Sequence, residues 1–333
     1  MKKKIVVFLT LIGSFLFTGC FKDGKKDVLE ELSQKINNTK GYHLEGILEI
    51  QNNEDNYSYD VNVTYAKDDK FRVSLKNRTN NHEQIILKNP DGVYVLTPSL
   101  NKSFKFQSEW PYNNSQTYLL QTLLKDIKND KEMILKEEGN EYIFTTKANY
   151  SNNKNLVKQN IIFDKDLNIK SVQVMNDQDK VLMKMEFTKV DMNASYKDDY
   201  FTLKENMQVS SEENTEEPVS KIEDIIYPMY IPNNTYLSSQ DKVTKENGER
   251  VILTFGGEKP FMFVQETVSV EEDLITIPMY GEPSILSDTI GAVSDSSITW
   301  ISNGVEYYVV SDVLTEDELM SIAKSVSVMP VSK

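Results

Sequence analysis

Tyr57-Ser58-Tyr59-Asp60-Val61-Asn62-Val63-Thr64-Tyr65 is the stretch that decides the fold. Its odd positions are aromatic or β-branched and its even positions are polar. A period of two sends successive side chains to opposite faces of an extended chain, so this is a strand with one dry and one wet face. The same period holds on both sides of it. Leu44, Gly46, Leu48 and Ile50 alternate with His43, Glu45 and Glu49, and Phe71, Val73 and Leu75 alternate with Arg72, Ser74 and Lys76. The joints at 52–56 and 67–69 are rich in Asn and Asp, as tight turns between antiparallel neighbours require.

Working outward, further strands are predicted at 84–88, 93–97, 103–107, 133–136, 142–146, 158–163, 169–175 and 181–190. Asn89-Pro90-Asp91-Gly92 is a turn signal between two of them. One helix precedes the meander and another interrupts it. Over 27–40, Val28, Leu29, Leu32 and Ile36 form one apolar stripe, with Asp27 and Glu30 as an N-cap box and Gly41 as the stop. Over 115–128, Tyr118, Leu119, Thr122, Leu123 and Ile127 share a face. The result is a mainly β, α+β chain whose long antiparallel sheet has a concave face that helices can plug.

Residues 204–224 are polar and acidic and read as a linker. A smaller α+β unit over 225–333 follows, with strands predicted at 250–255, 261–268, 284–286, 298–302 and 305–310. Asn303-Gly304 is a tight-hairpin signal between the last two. Thr315-Glu316-Asp317-Glu318 is a capping box opening a helix with Leu319, Ile322, Ala323 and Val326 on its inner face.

The N-terminus has the grammar of an export signal. Met1-Lys2-Lys3-Lys4 precedes an apolar run from Ile5 to Phe17 and then Thr18-Gly19-Cys20. That run is shorter than the roughly 20 residues that span a bilayer. Leu16-Phe17-Thr18-Gly19-Cys20 resembles the bacterial lipobox, with Phe17 where Leu is usual. Residues 1–19 are therefore expected to be removed, and Cys20 to carry diacylglyceryl and acyl chains as a membrane anchor. Each buried CH2 contributes about 0.8 kcal/mol, so two or three chains hold firmly. Residues 20–26 would be the lipidated tether, with Lys22, Lys25 and Lys26 next to the membrane surface. The expected location is the extracytoplasmic face of the cell membrane.

Cys20 is the only cysteine, so no internal disulfide forms. The net charge is −14, and removing residues 1–19 takes away three lysines and no acid, leaving −17. Nucleic acid needs a basic footprint and is excluded as a partner. The two histidines, His43 and His82, stand far apart, so a zinc site and a serine triad both lack their parts. Gly256-Gly257-Glu258-Lys259 lacks the remaining residues of a phosphate loop. With 51 acids, carboxylate pairs arise by chance and mark nothing. The chain reads as non-enzymatic, with no cofactor, no metal and no catalytic residue.

What stands out is apolar. Tyr57, Tyr59 and Tyr65 crowd one strand, Phe71 and Val73 face the same way on the next, and Trp110 precedes a helix carrying Tyr118, Leu119 and Leu123. These residues are either ordinary core or the wall and lid of a groove that takes an acyl chain or a partner's apolar segment. The sequence leaves both readings open.

The order of segments resembles the LolA/LolB-like lipoprotein-carrier superfamily, and within it the spore-former branch of GerS-like germination and sporulation lipoproteins. The residues that carry the likeness are Lys70-Phe71-Arg72-Val73, the run from Asn89 to Pro98, Asn101-Lys102-Ser103-Phe104-Lys105-Phe106, Gln107 to Leu124, and Asn160-Ile161-Ile162-Phe163-Asp164. It covers roughly 27–200. The hairpin from Trp300 to Tyr308 and the helix from Leu319 to Val326 are similar to a domain that follows the carrier-like one in some members. The two-domain plan is also similar to that of the RseB/MucB regulators. The resemblance implies an unclosed antiparallel barrel over 27–203, plugged by helices around an apolar cavity. It implies a membrane-anchored, non-enzymatic protein that binds a partner in sporulation or germination, a cell-wall (cortex) amidase or another envelope protein. The space between forespore and mother-cell membranes is one site this role would occupy. The alternative it implies is a carrier or sensor at the cell envelope, with a lipid or lipoprotein acyl chain in the cavity.

Overall fold

A computed structural model of the chain describes residues 21–52, 55–151, 153–208, 221–245, 248–268, 274–286 and 288–326. Residues 1–20, and with them the expected signal segment and Cys20, lie outside the described residues. The chain opens with α1 (Phe21–Asn38) and continues into β1 (Gly41–Asn52), β2 (Asp55–Ala66), β3 (Lys70–Asn77), β4 (Glu83–Asn89), β5 (Gly92–Thr97) and β6 (Lys102–Phe106). After α2 (Leu120–Asn129) come β7 (Ile134–Glu138), β8 (Glu141–Lys147), β9 (Lys158–Asp164), β10 (Ile169–Met175) and β11 (Val181–Asp191), then α3 (Leu203–Gln208). The second half has β12 (Thr235–Lys245), β13 (Gly248–Gly257), β14 (Phe261–Thr267), β15 (Ile275–Met279), β16 (Glu282–Ile285), β17 (Ile290–Val293), β18 (Ser297–Ser302), β19 (Val305–Val310) and α4 (Glu316–Lys324). None of the described helices is long and apolar enough to cross a membrane.

Two meanders make the large sheet. They join where β1 pairs with β11, giving the order β15-β6-β5-β4-β3-β2-β1-β11-β10-β9-β8-β7. The alternation read from the sequence fixes its register. Leu44 faces Val63, Val63 faces Val73, Val73 faces Ile86, Ile86 faces Val95 and Val95 faces Phe104. On the other side Leu48 faces Met185, then Val172, Ile161 and Phe144 follow. Each row is buried throughout, and such cross-strand pairs are the units that stabilise a sheet. Phe104 and Phe144, from opposite halves of the sheet, share one core with Leu32 and Ile36 of α1 and Leu123 and Ile127 of α2. The sheet therefore curls around its helices, yet β15 and β7 remain two separate edges. It is the unclosed, helix-plugged barrel that the sequence pattern and resemblance predict.

The outer face is covered in part as well. Ile85, Leu87, Tyr94 and Leu96 pack against Phe201 and Met207. The signal for this is local: Ile85-Ile86-Leu87 and Tyr94-Val95-Leu96 are unbroken apolar runs, the mark of strands buried on both faces. The stretch read as linker from 204 thus begins with α3, held by a 2.5 Å bond from Arg72 Nε to Asn206 Oδ1.

The smaller sheet runs β12-β13-β14-β19-β18-β17-β16 and packs one face on α4. Asn303 and Gly304 both take positive φ, 49° and 72°, as the primed hairpin turn demands. Thr315 and Glu318 form the expected capping box. Three strands were not predicted. β12 has no alternation because neither of its faces is buried, β17 is short, and β15 carries Pro278. β15 leaves its own sheet and pairs in parallel with β6. Gln84 Oε1 accepts from the backbone N–H of Ile290 at 2.6 Å and from Thr289 Oγ1 at 2.9 Å. With Ile290, Ala292 and Ile301 in the large core, the two sheets are bound to each other.

Two helix starts differ from expectation. α1 begins at Phe21, so residues 21–26, read as tether, are helical and Asp27 lies inside the helix rather than capping it. α2 begins at Leu120 instead of 115, because Ser115 is joined to the β8–β9 loop. Its N–H donates to Asn149 O, and the Asn149 N–H donates back to Ser115 Oγ, each at 2.8 Å.

Candidate functional site

The residues singled out in the sequence converge on the concave face. β2 and β3 supply Tyr59, Phe71 and Val73. The segment before α2 supplies Trp110, Tyr118 and Leu119, and α2 itself supplies Leu123. Their exposures lie between 0 and 2 %. Tyr57 and Tyr65, at the two ends of β2, are half-buried against the same core. Tyr42, Tyr65, Phe71 and Trp110 run as a chain of rings across three strands, with centroids 5.1, 5.1 and 6.0 Å apart. These are the edge-to-face and offset spacings that aromatic quadrupoles favour. Where the resemblance implies an apolar cavity, α2 and Trp110 have been driven into the hollow.

Polar groups at this site hold the plug in place. Asp126 Oδ2 accepts from Ser115 Oγ and from Gln159 Nε2, both at 2.7 Å. Burial pushes its carboxyl above the usual range, against those two bonds. Tyr42 donates to Gln121 Oε1 at 2.7 Å, and burial raises its phenol well above the ordinary value. Burial likewise raises Tyr59 and Tyr118, so these hydroxyls stay protonated.

At the barrel mouth there is a pocket of about 100 Å³ bounded by Tyr118, Tyr150, Leu182, Ile285 and Lys324. Tyr150 and Lys324 come from a loop and from α4, and no local sequence pattern links them. An open groove of about 620 Å³ lies on the small sheet beside Arg250, Met262, Glu306 and Tyr308, where burial raises the Glu306 carboxyl. The histidines are engaged elsewhere. His43 meets Glu45 Oε1 at 2.9 Å and Thr64 Oγ1 at 3.4 Å, on the outer face. Among the described residues no three His, Cys, Asp or Glu side chains gather to hold a metal.

No protein-family model matches the chain. The sporulation protein YdcC of Bacillus subtilis (strain 168) is 35% identical over 328 residues, covering 98% of this chain and 97% of that protein. The chain belongs to the YdcC family. Among solved structures, a chain of the Pseudomonas aeruginosa MucA/MucB complex aligns over 91% of this chain and 98% of its own, at 14% identity and a TM-score of 0.35. A chain of the Clostridioides difficile CwlD amidase in complex with the GerS lipoprotein aligns over 59% of this chain and all of its own, at 15% identity and a TM-score of 0.31. At that distance the strand order and burial above, and not these alignments, define the architecture of this YdcC family member.

Proposed function

We propose that the protein is a non-enzymatic binding protein of the sporulating cell envelope, held on the outer face of the membrane by acylated Cys20, and that it works by engaging a protein partner. The sporulation setting follows from membership of the YdcC family. The observation that carries the binding role is the filled concave face. Tyr59, Phe71, Val73, Trp110, Leu119 and Leu123 are at most 2 % exposed, and the pocket at the mouth is about 100 Å³. Ligand pockets for organic molecules run to roughly 300–1,000 Å³, so the hollow offers a long acyl chain little room. That favours a partner on the outside of the barrel over a lipid within it. The finer reading, a cell-wall amidase as that partner, rests on the GerS-like resemblance in the sequence.

The test is capture with the native lipoprotein from sporulating cells, identifying bound proteins and lipids together. A stoichiometric wall amidase whose activity rises on binding supports the reading. Acyl lipid in stoichiometric amount, with no protein, refutes it. So does deletion of the gene with normal spores and unaltered cortex chemistry.

A further inference from the structure

β15 ends the large sheet although its neighbours along the chain, β14 and β16, lie in the small one. It forms the one parallel pairing among the described strands, with Ile275 facing Lys102 and Met279 facing Phe106. Parallel pairs are slightly less stable per residue than antiparallel ones, and this one is five residues long. At its two ends the Ile275 N–H donates to Asn101 O and the Gln107 N–H donates to Met279 O, each at 3.4 Å. Good bonds of this type are roughly 2.7–3.2 Å long.

The side chains of β15 hold it lightly. Ile275, Thr276 and Pro278 are exposed, and only Ile277 and Met279 are partly buried against the large core. Ser103 Oγ donates to Ile275 O at 3.2 Å and lies 2.7 Å from Thr276 Oγ1. Toward the small sheet, Pro278, Met279 and Tyr280 wall the open groove of about 620 Å³, so open space flanks the strand on that side.

Pro278 limits how a further strand can attach. Successive N–H groups along a strand point to opposite edges. The Ile275 N–H points to β6, so position 278, three residues on, points away from it. Proline there forfeits no bond to β6 and removes a donor from the free edge. With β15 in place, the sheet ends in an edge that resists addition of another strand. Beneath it, β6 has buried Phe104 and Phe106 and no proline.

We propose that the β6 edge is the docking site for an extended strand of a protein partner, and that β15 is its removable internal cover. The partner strand runs parallel to β6 and is uncharged. Its apolar side chains take the places of Ile277 and Met279 opposite Phe104 and Phe106, and a small hydroxyl residue stands opposite Ser103. Backbone bonds supply the affinity of such strand addition, and the alternate side chains supply its selectivity. The proposal rests on the partner-binding reading above and deepens it by stating where the partner attaches.

The test needs no native partner, so its failure leaves that reading to the capture experiment. Hydrogen exchange is measured on the unsubstituted protein. The amides of Ile275, Ile277 and Met279 should exchange at least about 100-fold faster than those of Phe263 and Val264 in β14, without the denaturant dependence of global unfolding. A fluorescein-labelled peptide of residues 274–280 is then titrated by anisotropy. One peptide per chain should bind, at least about tenfold tighter to Ile277→Asp than to the parent, because the weakened cover leaves β6 open more of the time. In a Ser103→Cys, Thr276→Cys variant, closing the disulfide should abolish binding and reductant should restore it. The proposal is overturned by β15 amides as well protected as those of β14, by no saturable peptide binding to a folded Ile277→Asp protein, or by binding that survives the closed disulfide.

Discussion

Replacing Tyr59 by Asp separates a packed barrel from an open one. Tyr59 is 2 % exposed and stands between Leu48 and Asn77 in the sheet. Truncating a buried aromatic ring costs about 3–5 kcal/mol. A carboxylate left in its place, with no cation provided, adds several kcal/mol more. The sum reaches the ~5–15 kcal/mol by which a domain is stable at all, so Tyr59→Asp is expected not to fold. Tyr59→Phe keeps the packing and removes one hydroxyl, at a cost of about 1 kcal/mol. The chain has two tryptophans, Trp110 in the large core and Trp300 in the small one. Urea unfolding read by Trp110 fluorescence in a Trp300→Phe background therefore reports on the barrel. The reasoning is refuted if Tyr59→Asp unfolds within about 1 kcal/mol of the parent. That result would mean that position 59 faces solvent through a cavity.

Gly46→Ala tests the β1–β11 seam. An added Cβ would lie 2.1 Å from Glu186 O, at the bulge between Glu45 and Gly46, so a loss above about 2 kcal/mol is expected in urea unfolding. Asp126→Asn should be neutral or stabilising by up to about 1 kcal/mol at pH 7, because an amide oxygen can still accept from Ser115 and Gln159. Burial raises the folded-state pKa of Asp126 above its unfolded value. Its contribution to stability is therefore greatest at low pH and is lost as pH rises from the ordinary carboxylate value through the raised one. Stability measured across that window should fall less steeply in the Asn variant. Thr315→Ala removes half of the α4 capping box and should cost about 0.5–2 kcal/mol, read by Trp300. Cys20→Ser should move the protein from the membrane fraction to the soluble one and abolish labelling with radioactive palmitate. Retention at the membrane with no label would refute the anchor.

Much of the barrel was legible because its physics is local. Alternation in β1, β2 and β3 names the inward face residue by residue, and the buried rows bear this out from Leu44 to Phe104. Asn303-Gly304 and Thr315 to Glu318 likewise form the turn and cap their chemistry demands. What escaped had no local signature. β12 is exposed on both faces and so lacks a period. α2 starts late because Ser115 bonds to Asn149, a partner distant in sequence.

The sequence by itself determined which side chains point inward, since a strand's period of two and a helix's stripe depend only on neighbours along the chain. It also determined that the barrel is mainly antiparallel, with its turns where Asn, Asp and Gly cluster. Only the tertiary structure decided that the hollow is filled. Whether Tyr59 and Phe71 line a cavity or a core depends on how deeply α2 and Trp110 sit, and that distance appears in no local pattern. The same holds for the joining of the two sheets, where β15 pairs with a strand some 170 residues earlier. It holds equally for the pocket that Tyr150 and Lys324 both line. Contacts made across such separations are set by the packing of whole elements, which the sequence encodes only collectively.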